Sequence, residues 1–231
     1  MTQALSSQQR AEVFYPSSDG EPVAESYAHL CVLLATLEVL RQYLQGQQAT
    51  VLANQFLYYA QGFPKLRVAP DVMVIFNVAP GGRDNYKVWE EGEVPSVIFE
   101  MTSAGTKNQD LEFKKTLYEQ LGVKEYWLFD PRGEWIKGQL QGYRLRNDVY
   151  EVITDNRSEP LGLRLQVEGE LIGFYREDTG EKLLNPTELA EALQAAQQKA
   201  NAEVLARQQA EQEVEQLKQR LRSLGVDPDS Y

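Results

Sequence analysis

Apolar residues along the first 130 positions occur in short runs that predict strands separated by helices. Three runs are apolar on both alternating faces, which is typical of strands buried in the middle of a sheet. They are residues 66–76, 94–101 and 126–129. One helix is predicted before them, at about 23–44, and another between the second and third runs, at about 110–121, ending at Gly122. The strand–helix–strand order favours a parallel crossover, so we expect an α/β fold with a mixed β-sheet flanked by helices.

The pattern changes twice further along the chain. Four short runs bounded by turn residues predict antiparallel strands that close the domain. They are residues 134–140, 142–145, 149–153 and 163–167. From Pro186 onward Ala, Gln, Glu and Leu dominate, and aromatic residues are absent until Tyr231. The sequence therefore predicts a globular domain at 1–185 and a helix with a short tail at 186–231.

The C-terminal segment has a heptad-like seam. Its positions follow 4-3 spacing: Leu189, Leu193, Ala196, Ala200, Glu203, Arg207, Ala210, Val214, Leu217, Leu221 and Leu224. This pattern predicts a coiled coil that links copies of the chain through a helix at 187–224. The alternative is a single solvated helix folded back on the domain.

Charge and composition narrow the classes of function. The chain has 23 Lys and Arg against 34 Asp and Glu, a net charge of −11. It is therefore not a broadly basic nucleic-acid binder, and any contact with DNA must use a local patch. A single cysteine, Cys31, excludes an intrachain disulfide and a cysteine-based zinc site. His29, the single histidine, is interpreted as structural. Without a signal-peptide pattern or an apolar stretch of 18 residues, we expect no membrane span and a cytoplasmic protein.

Two carboxylates interrupt the buried strands. Asp71 and Glu100 lie within apolar runs, where burial of a charge is costly unless a cation compensates it. The connecting helix supplies one, because at 100° per residue Lys114 falls in the middle of the apolar arc that contains Phe113, Leu117, Leu121 and Tyr118. Lys115 falls outside that arc. We therefore expect Lys114, and not Lys115, to face the sheet that carries the two acids.

These three residues have two interpretations. In the functional one, Asp71 and Glu100 hold Mg²⁺, with Mn²⁺ as an alternative, and the backbone carbonyl of Met101 adds a ligand. Lys114 would position or help deprotonate a water molecule and neutralise charge on a phosphate. In the other, the three residues form a buried ion-pair network with structural consequences only.

Four segments carry a resemblance to a known family. They are residues 68–74, 97–103, 114–118 and the run Gly-Val-Lys-Glu-Tyr-Trp-Leu-Phe-Asp-Pro at 122–131. The chain resembles the Uma-type family of putative restriction endonucleases within the PD-(D/E)XK nuclease superfamily. The resemblance implies a restriction-endonuclease-like core with Asp71 and Glu100 as metal ligands.

The resemblance has one departure and one addition. The lysine that the superfamily has two residues after the acid is replaced by Thr102, whereas Lys114, four residues before Tyr118, fits the family's lysine. Some superfamily members use an acid of the first helix as a further metal ligand, which makes Glu25 a candidate. The alternative for Glu25 is a first-turn acid favoured by the helix dipole.

Three hypotheses follow from the sequence. The first is a Mg²⁺-dependent endonuclease that hydrolyses DNA phosphodiester bonds. The second is a catalytically weak or inactive interaction protein that keeps the nuclease fold and oligomerises through its coiled coil. The third, a DNA-processing subunit of a transposition system, rests on related scaffolds.

Overall fold

Strands of the computed structural model, which describes residues 13–20, 26–103 and 105–225, form three sheets. In chain order they are β1 (Ala49–Leu52), β2 (Leu57–Tyr58), β3 (Arg67–Val68), β4 (Val72–Phe76), β5 (Tyr86–Lys87), β6 (Val97–Met101), β7 (Glu125–Phe129), β8 (Leu140–Arg146), β9 (Val149–Ile153), β10 (Arg157–Ser158), β11 (Leu163–Glu168), β12 (Leu171–Arg176) and β13 (Lys182–Leu183). The helices are α1 (Tyr27–Tyr43), α2 (Val88–Glu91), a π-helical segment (Gln109–Lys114), α3 (Lys115–Leu121) and α4 (Pro186–Ser223).

The largest sheet has six strands in the order β1-β4-β6-β7-β8-β9. Strands β6 and β7 run parallel, and Val97 pairs with Glu125. The π-helical segment and α3 connect them, so the parallel crossover predicted from the sequence is confirmed. The other neighbours in this sheet are antiparallel. The predicted α/β class, a mixed sheet flanked by helices with a long C-terminal helix, is confirmed.

Both faces of the six-stranded sheet are covered, which explains the continuous apolar runs of its central strands. On one face, side chains of β4, β6 and β7 pack against α1 and against β11 and β12. On the other, they pack against α3 and against the small sheet formed by β2, β3 and β5. The strand ends at Met101 and Phe129 therefore lie next to helices on both sides.

Several elements differ from the sequence predictions. Residues 134–140, predicted as a strand, are turns up to Gln139, because the Asp130 carboxylate accepts four backbone N–H groups of that loop. The predicted strand 66–76 is split around Pro70, which has no N–H to donate to a sheet. Six strands were not predicted: β1, which lies at the edge of the six-stranded sheet and pairs with β4, and β2, β5, β10, β12 and β13.

The chain divides into two compact units, Met1–Asn185 and Pro186–Tyr231. The described part of the second unit is essentially α4, in which no residue is buried. The apolar seam of α4, including Leu193 and Leu217, is exposed. Within the described ranges, no helix combines the length and the hydrophobicity needed to cross a membrane.

Candidate active site

The two acids that interrupt the apolar runs meet at one end of the six-stranded sheet. β4 and β6 are antiparallel, and Val72 pairs with Phe99. Continuing this register by one residue places Asp71 opposite Glu100, where side chains of an antiparallel pair share a face. Both residues are buried, with Glu100 only 1% exposed.

Glu100 has a partner on each carboxylate oxygen. Lys114 Nζ donates to Oε2 at 2.8 Å, and the Tyr118 hydroxyl donates to Oε1 at 2.8 Å. Burial raises the pKa of Glu100 to about 8: the attraction of Lys114 opposes this shift, and the charges of Asp71 and Asp110 add to it. Burial and the nearby Glu100 also raise the pKa of Tyr118, which keeps its hydroxyl protonated.

Lys114 lies between two acids. Its Nζ is 2.8 Å from Glu100 Oε2 and 3.0 Å from Asp110 Oδ1. The contact with Asp110 is an ion pair whose angles are not those of a hydrogen bond. Burial alone would lower the pKa of Lys114, but Glu100 and Asp110 together outweigh that effect and raise it. Lys114 therefore carries its positive charge at neutral pH.

Asp71 is held at the end of β6. The backbone N–H of Met101 donates to Asp71 Oδ2 at 2.6 Å, and His29 Nε2 of α1 lies 3.4 Å from Oδ1. α1 presents His29 at this position because Ser26 caps its first turn, accepting the His29 N–H at 3.2 Å. Asp71 is thereby in contact with elements on both sides of the strand end.

The charges of this cluster are unequal. Three buried carboxylates (Asp71, Glu100 and Asp110) face one lysine ammonium, so full ionisation leaves a formal charge of 3 × (−1) + 1 = −2 with His29 neutral. Such an excess is reduced by taking up a proton, as the pKa of Glu100 indicates, or by binding a cation. Carboxylate oxygens are suitable ligands for Mg²⁺. In the part of the chain that the structure describes, however, no group of three or more His, Cys, Asp or Glu side chains is arranged to hold a metal ion.

The structure brings together Asp71, Glu100, Lys114 and the backbone of Met101. Lys115 lies elsewhere, with its Nζ 4.2 Å from the ring centroid of Tyr143. Glu25, the further candidate ligand, lies outside the described residues.

Two members of the cluster were not assigned to it from the sequence. Asp110 begins the predicted helix at 110–121 and lies four residues before Lys114, on the same side of a helix, so this spacing was a usable signal. His29 was interpreted as structural because a lone histidine in an apolar helix gives no sign of its neighbour. Its contact with Asp71 depends on how α1 packs across the sheet, which the local sequence does not encode.

Comparison with known proteins identifies the relatives of this chain. The family described as Uma2, putative restriction endonuclease, matches residues 3–172, which confirms the resemblance drawn from the motifs. A solved structure described as a putative nuclease belonging to DUF820 from Anabaena variabilis is similar, with 13% identity and a TM-score of 0.45. The similarity covers 72% of this chain and 86% of that one. No curated protein matches the sequence.

Proposed function

The chain belongs to the Uma2 family of putative restriction endonucleases, and on this premise we propose that it is a divalent-metal-dependent endonuclease that hydrolyses DNA phosphodiester bonds. The observation that carries the proposal is the buried cluster at the end of β4 and β6. There Lys114 lies 2.8 Å from Glu100, and Asp71 is held opposite them by Met101. Buried acids in excess over cations, collected at strand ends, are typical of functional sites rather than of a sheet core.

Asp71 and Glu100 are the side chains that would hold Mg²⁺ or Mn²⁺, with the Met101 carbonyl as a third oxygen donor. The excess negative charge of the cluster and its oxygen donors fit a hard divalent cation. When bound, such an ion lowers the pKa of a water molecule and stabilises negative charge on a phosphate. Two carboxylates and one carbonyl are a small set, so water and phosphate oxygens would complete the coordination.

Lys114 has the role of an electrostatic stabiliser. Because its pKa is raised, it holds its proton at neutral pH and does not accept one from water. Its charge instead opposes the negative charge that develops on the phosphate. Hydrolysis adds water to phosphorus and breaks one phosphorus–oxygen ester bond. The water loses a proton, and the departing ester oxygen gains one.

Asp110 and Tyr118 position this pair. Asp110 Oδ1 lies 3.0 Å from Lys114 Nζ, and the Tyr118 hydroxyl donates to the second oxygen of Glu100 at 2.8 Å. Both are buried, which limits the rotamers available to Lys114 and Glu100. Such support for a catalytic group preserves the geometry on which the rate depends.

A cleavage assay on supercoiled plasmid tests the proposal. The full chain with Mg²⁺ or Mn²⁺ is expected to nick or linearise the DNA, and EDTA should stop the reaction. D71N preserves the shape of the side chain but removes its charge, and it should abolish cleavage. D84N, which changes an exposed aspartate, is the matched control and should cleave like the parent chain. Failure of the parent to cleave plasmid or single-stranded DNA with either metal contradicts the proposal.

A second candidate function rests on α4. None of its described residues is buried, and its apolar seam, with Leu193 and Leu217, is exposed over much of the helix. In this alternative the chain is an interaction protein that self-associates through α4 and does not cleave. Lys114 and Tyr118 donate hydrogen bonds to both oxygens of Glu100. This favours the non-cleaving alternative, because neither oxygen is then left for a metal ion alone. A stable oligomer without metal-dependent cleavage would support this alternative.

A further inference from the structure

A pocket of about 190 Å³ opens where α1 begins and where β6 and β7 end. Its lining includes Ser26, His29, Thr102, Arg132, Glu134 and Trp135. His29 joins it to the candidate active site, because His29 Nε2 lies 3.4 Å from Asp71 Oδ1. Pockets for drug-sized ligands enclose roughly 300–1,000 Å³, so this pocket is suited to one small group.

Thr102 lines this pocket and has a buried hydroxyl that no described residue satisfies. The residue is 3% exposed, and its Oγ1 has no hydrogen-bond partner among the described residues. A buried polar atom without a partner is unfavourable, and native proteins rarely leave one unless a ligand or water satisfies it. Thr102 occupies the position two residues after Glu100, at the end of β6.

The other donors around the pocket favour an anion. α1 has 17 residues, and its first turn, with Ser26 as N-cap, lines the pocket. The first N–H groups of a helix lack intrahelical acceptors and form the positive end of its dipole. The exposed Arg132 adds a guanidinium, which is a preferred partner of phosphate.

Two acids also line the pocket. Asp130 is engaged, because its two oxygens accept the backbone N–H groups of Arg132, Gly133, Trp135 and Ile136. Glu134 is exposed, so its carboxylate can remain in solvent beside a bound anion. The uncommitted groups that face the pocket are therefore mainly donors.

Trp135, at the rim of the pocket, and the neighbouring Lys107 favour a nucleic-acid strand over a free ion as the ligand. Trp135 is 39% exposed, and Lys107 Nζ lies 3.7 Å from the centroid of one of its rings. An exposed aromatic ring beside a cation is a typical platform for an unpaired nucleobase whose phosphate lies nearby. A free phosphate would use the donors of the pocket but would have no contact with the ring.

We propose that this pocket binds a phosphodiester group of a nucleic-acid strand, next to the phosphate that is cleaved at Asp71 and Glu100. The proposal rests on the proposed endonuclease function and deepens it, since it identifies Thr102 and Arg132 as substrate-binding residues. It also predicts that an unpaired strand, whose base can reach Trp135, binds better than duplex of the same length.

The test measures binding of the full chain to a fluorescein-labelled single-stranded DNA oligonucleotide by anisotropy, in EDTA, so that no cleavage occurs. T102V should weaken binding about tenfold, the effect of losing a hydrogen bond to a charged group. T102S retains the hydroxyl and should bind like the parent. The matched control is T36V, because Thr36 Oγ1 is likewise buried without a partner in the described chain, but Thr36 does not line the pocket.

Arg132 is tested through the salt dependence of the same binding. R132A should reduce the slope of log K against log [salt] by about 0.7, as expected for the loss of one contact to single-stranded phosphate. R157A removes an arginine that pairs with Glu177 away from the pocket and should leave the slope unchanged. W135A should reduce the preference for single-stranded over duplex DNA.

The outcomes separate this proposal from the endonuclease function. If the parent cleaves plasmid but T102V and R132A bind DNA like the parent, the pocket assignment is wrong and the endonuclease function stands. If the binding losses occur as expected but no chain cleaves, the pocket stands and the endonuclease function fails. Calorimetry with inorganic phosphate tests whether the pocket binds a free phosphate ion instead. Binding of phosphate without any binding of the oligonucleotide would overturn the assignment to a nucleic-acid strand.

Discussion

The ionisation of Glu100 makes a prediction about proton release on metal binding. Burial raises the pKa of Glu100 to about 8, whereas a carboxylate that ligates a metal must be ionised. Binding of Mg²⁺ at Asp71 and Glu100 should therefore expel a proton to the buffer. The protonated fraction of a group with a raised pKa falls as the pH increases through that pKa, so the release should diminish from pH 7 to pH 9.

Isothermal titration calorimetry measures this release directly. Mg²⁺ is titrated into the full chain in buffers of different ionisation enthalpy, and the slope of the observed enthalpy gives the number of protons released. We expect release of at most one proton per bound ion, with more released at pH 7 than at pH 9, because the ionised fraction of Glu100 before binding rises with pH. Affinity should rise over the same range, because the proton that competes with the metal is lost as the pH increases.

Two variants distinguish Glu100 from other acids. E100Q has no carboxyl to ionise and should show weak binding without proton release. E112Q changes an exposed acid of the same connecting segment and should behave like the parent chain. Metal binding with no proton release at any pH from 7 to 9 would refute the reasoning, because Glu100 would then be ionised before binding or would not be a ligand.

Three further predictions follow from the packing. K114A leaves two buried acids without their cation and should lower the free energy of unfolding by about 3–5 kcal/mol in urea denaturation. K115A should lower it by about 1 kcal/mol or less. Equal losses would contradict the prediction that Lys114, and not Lys115, faces the sheet. G142A places a Cβ 2.5 Å from the Trp127 ring and should destabilise the chain by about 1–3 kcal/mol in the same assay, so an unchanged midpoint would contradict this contact. Truncation after Leu184 should lower the oligomer mass in light scattering, and an unchanged mass would reject self-association through α4.

Part of the site could be predicted because it depends on local chain geometry. The helical wheel placed Lys114 and Tyr118 toward the sheet, and both are buried against Glu100. It placed Phe113 there too, but Phe113 is 52% exposed. The segment 109–114 is π-helical, with hydrogen bonds from i to i+5, so each residue turns through a smaller angle than the α-helical wheel assumes. Nothing in the local sequence marks this change of helix type.

The prediction of strands succeeded where burial is complete on both faces. β6 and β7 were recognised as continuous apolar runs, and their parallel pairing followed from the connecting helix. β1 was missed because Thr50 interrupts it, so it lacks the continuous apolar run that marks 126–129. Residues 134–140 were wrongly predicted as a strand, because the four N–H groups that bind Asp130 shape this loop and its local pattern of Trp and Ile resembles a strand.

The contacts between different helices and strands that form the cluster were the hardest to predict from the sequence. Asp71 meets His29 across the packing of α1 on the sheet, 42 residues apart in the chain. The sequence distinguishes Thr102 only as the residue in place of the nuclease lysine, and its buried hydroxyl becomes informative once the pocket beside it is known. Both depend on tertiary packing rather than on any local periodicity.

Anomalous diffraction from crystals of the full chain soaked in Mn²⁺ tests the central claim most directly. The account predicts an anomalous peak at the manganese edge in contact with carboxylate oxygens of both Asp71 and Glu100, and loss of that peak in D71N. A well-ordered crystal with no peak between these two residues, or with manganese bound only elsewhere, would contradict the claim.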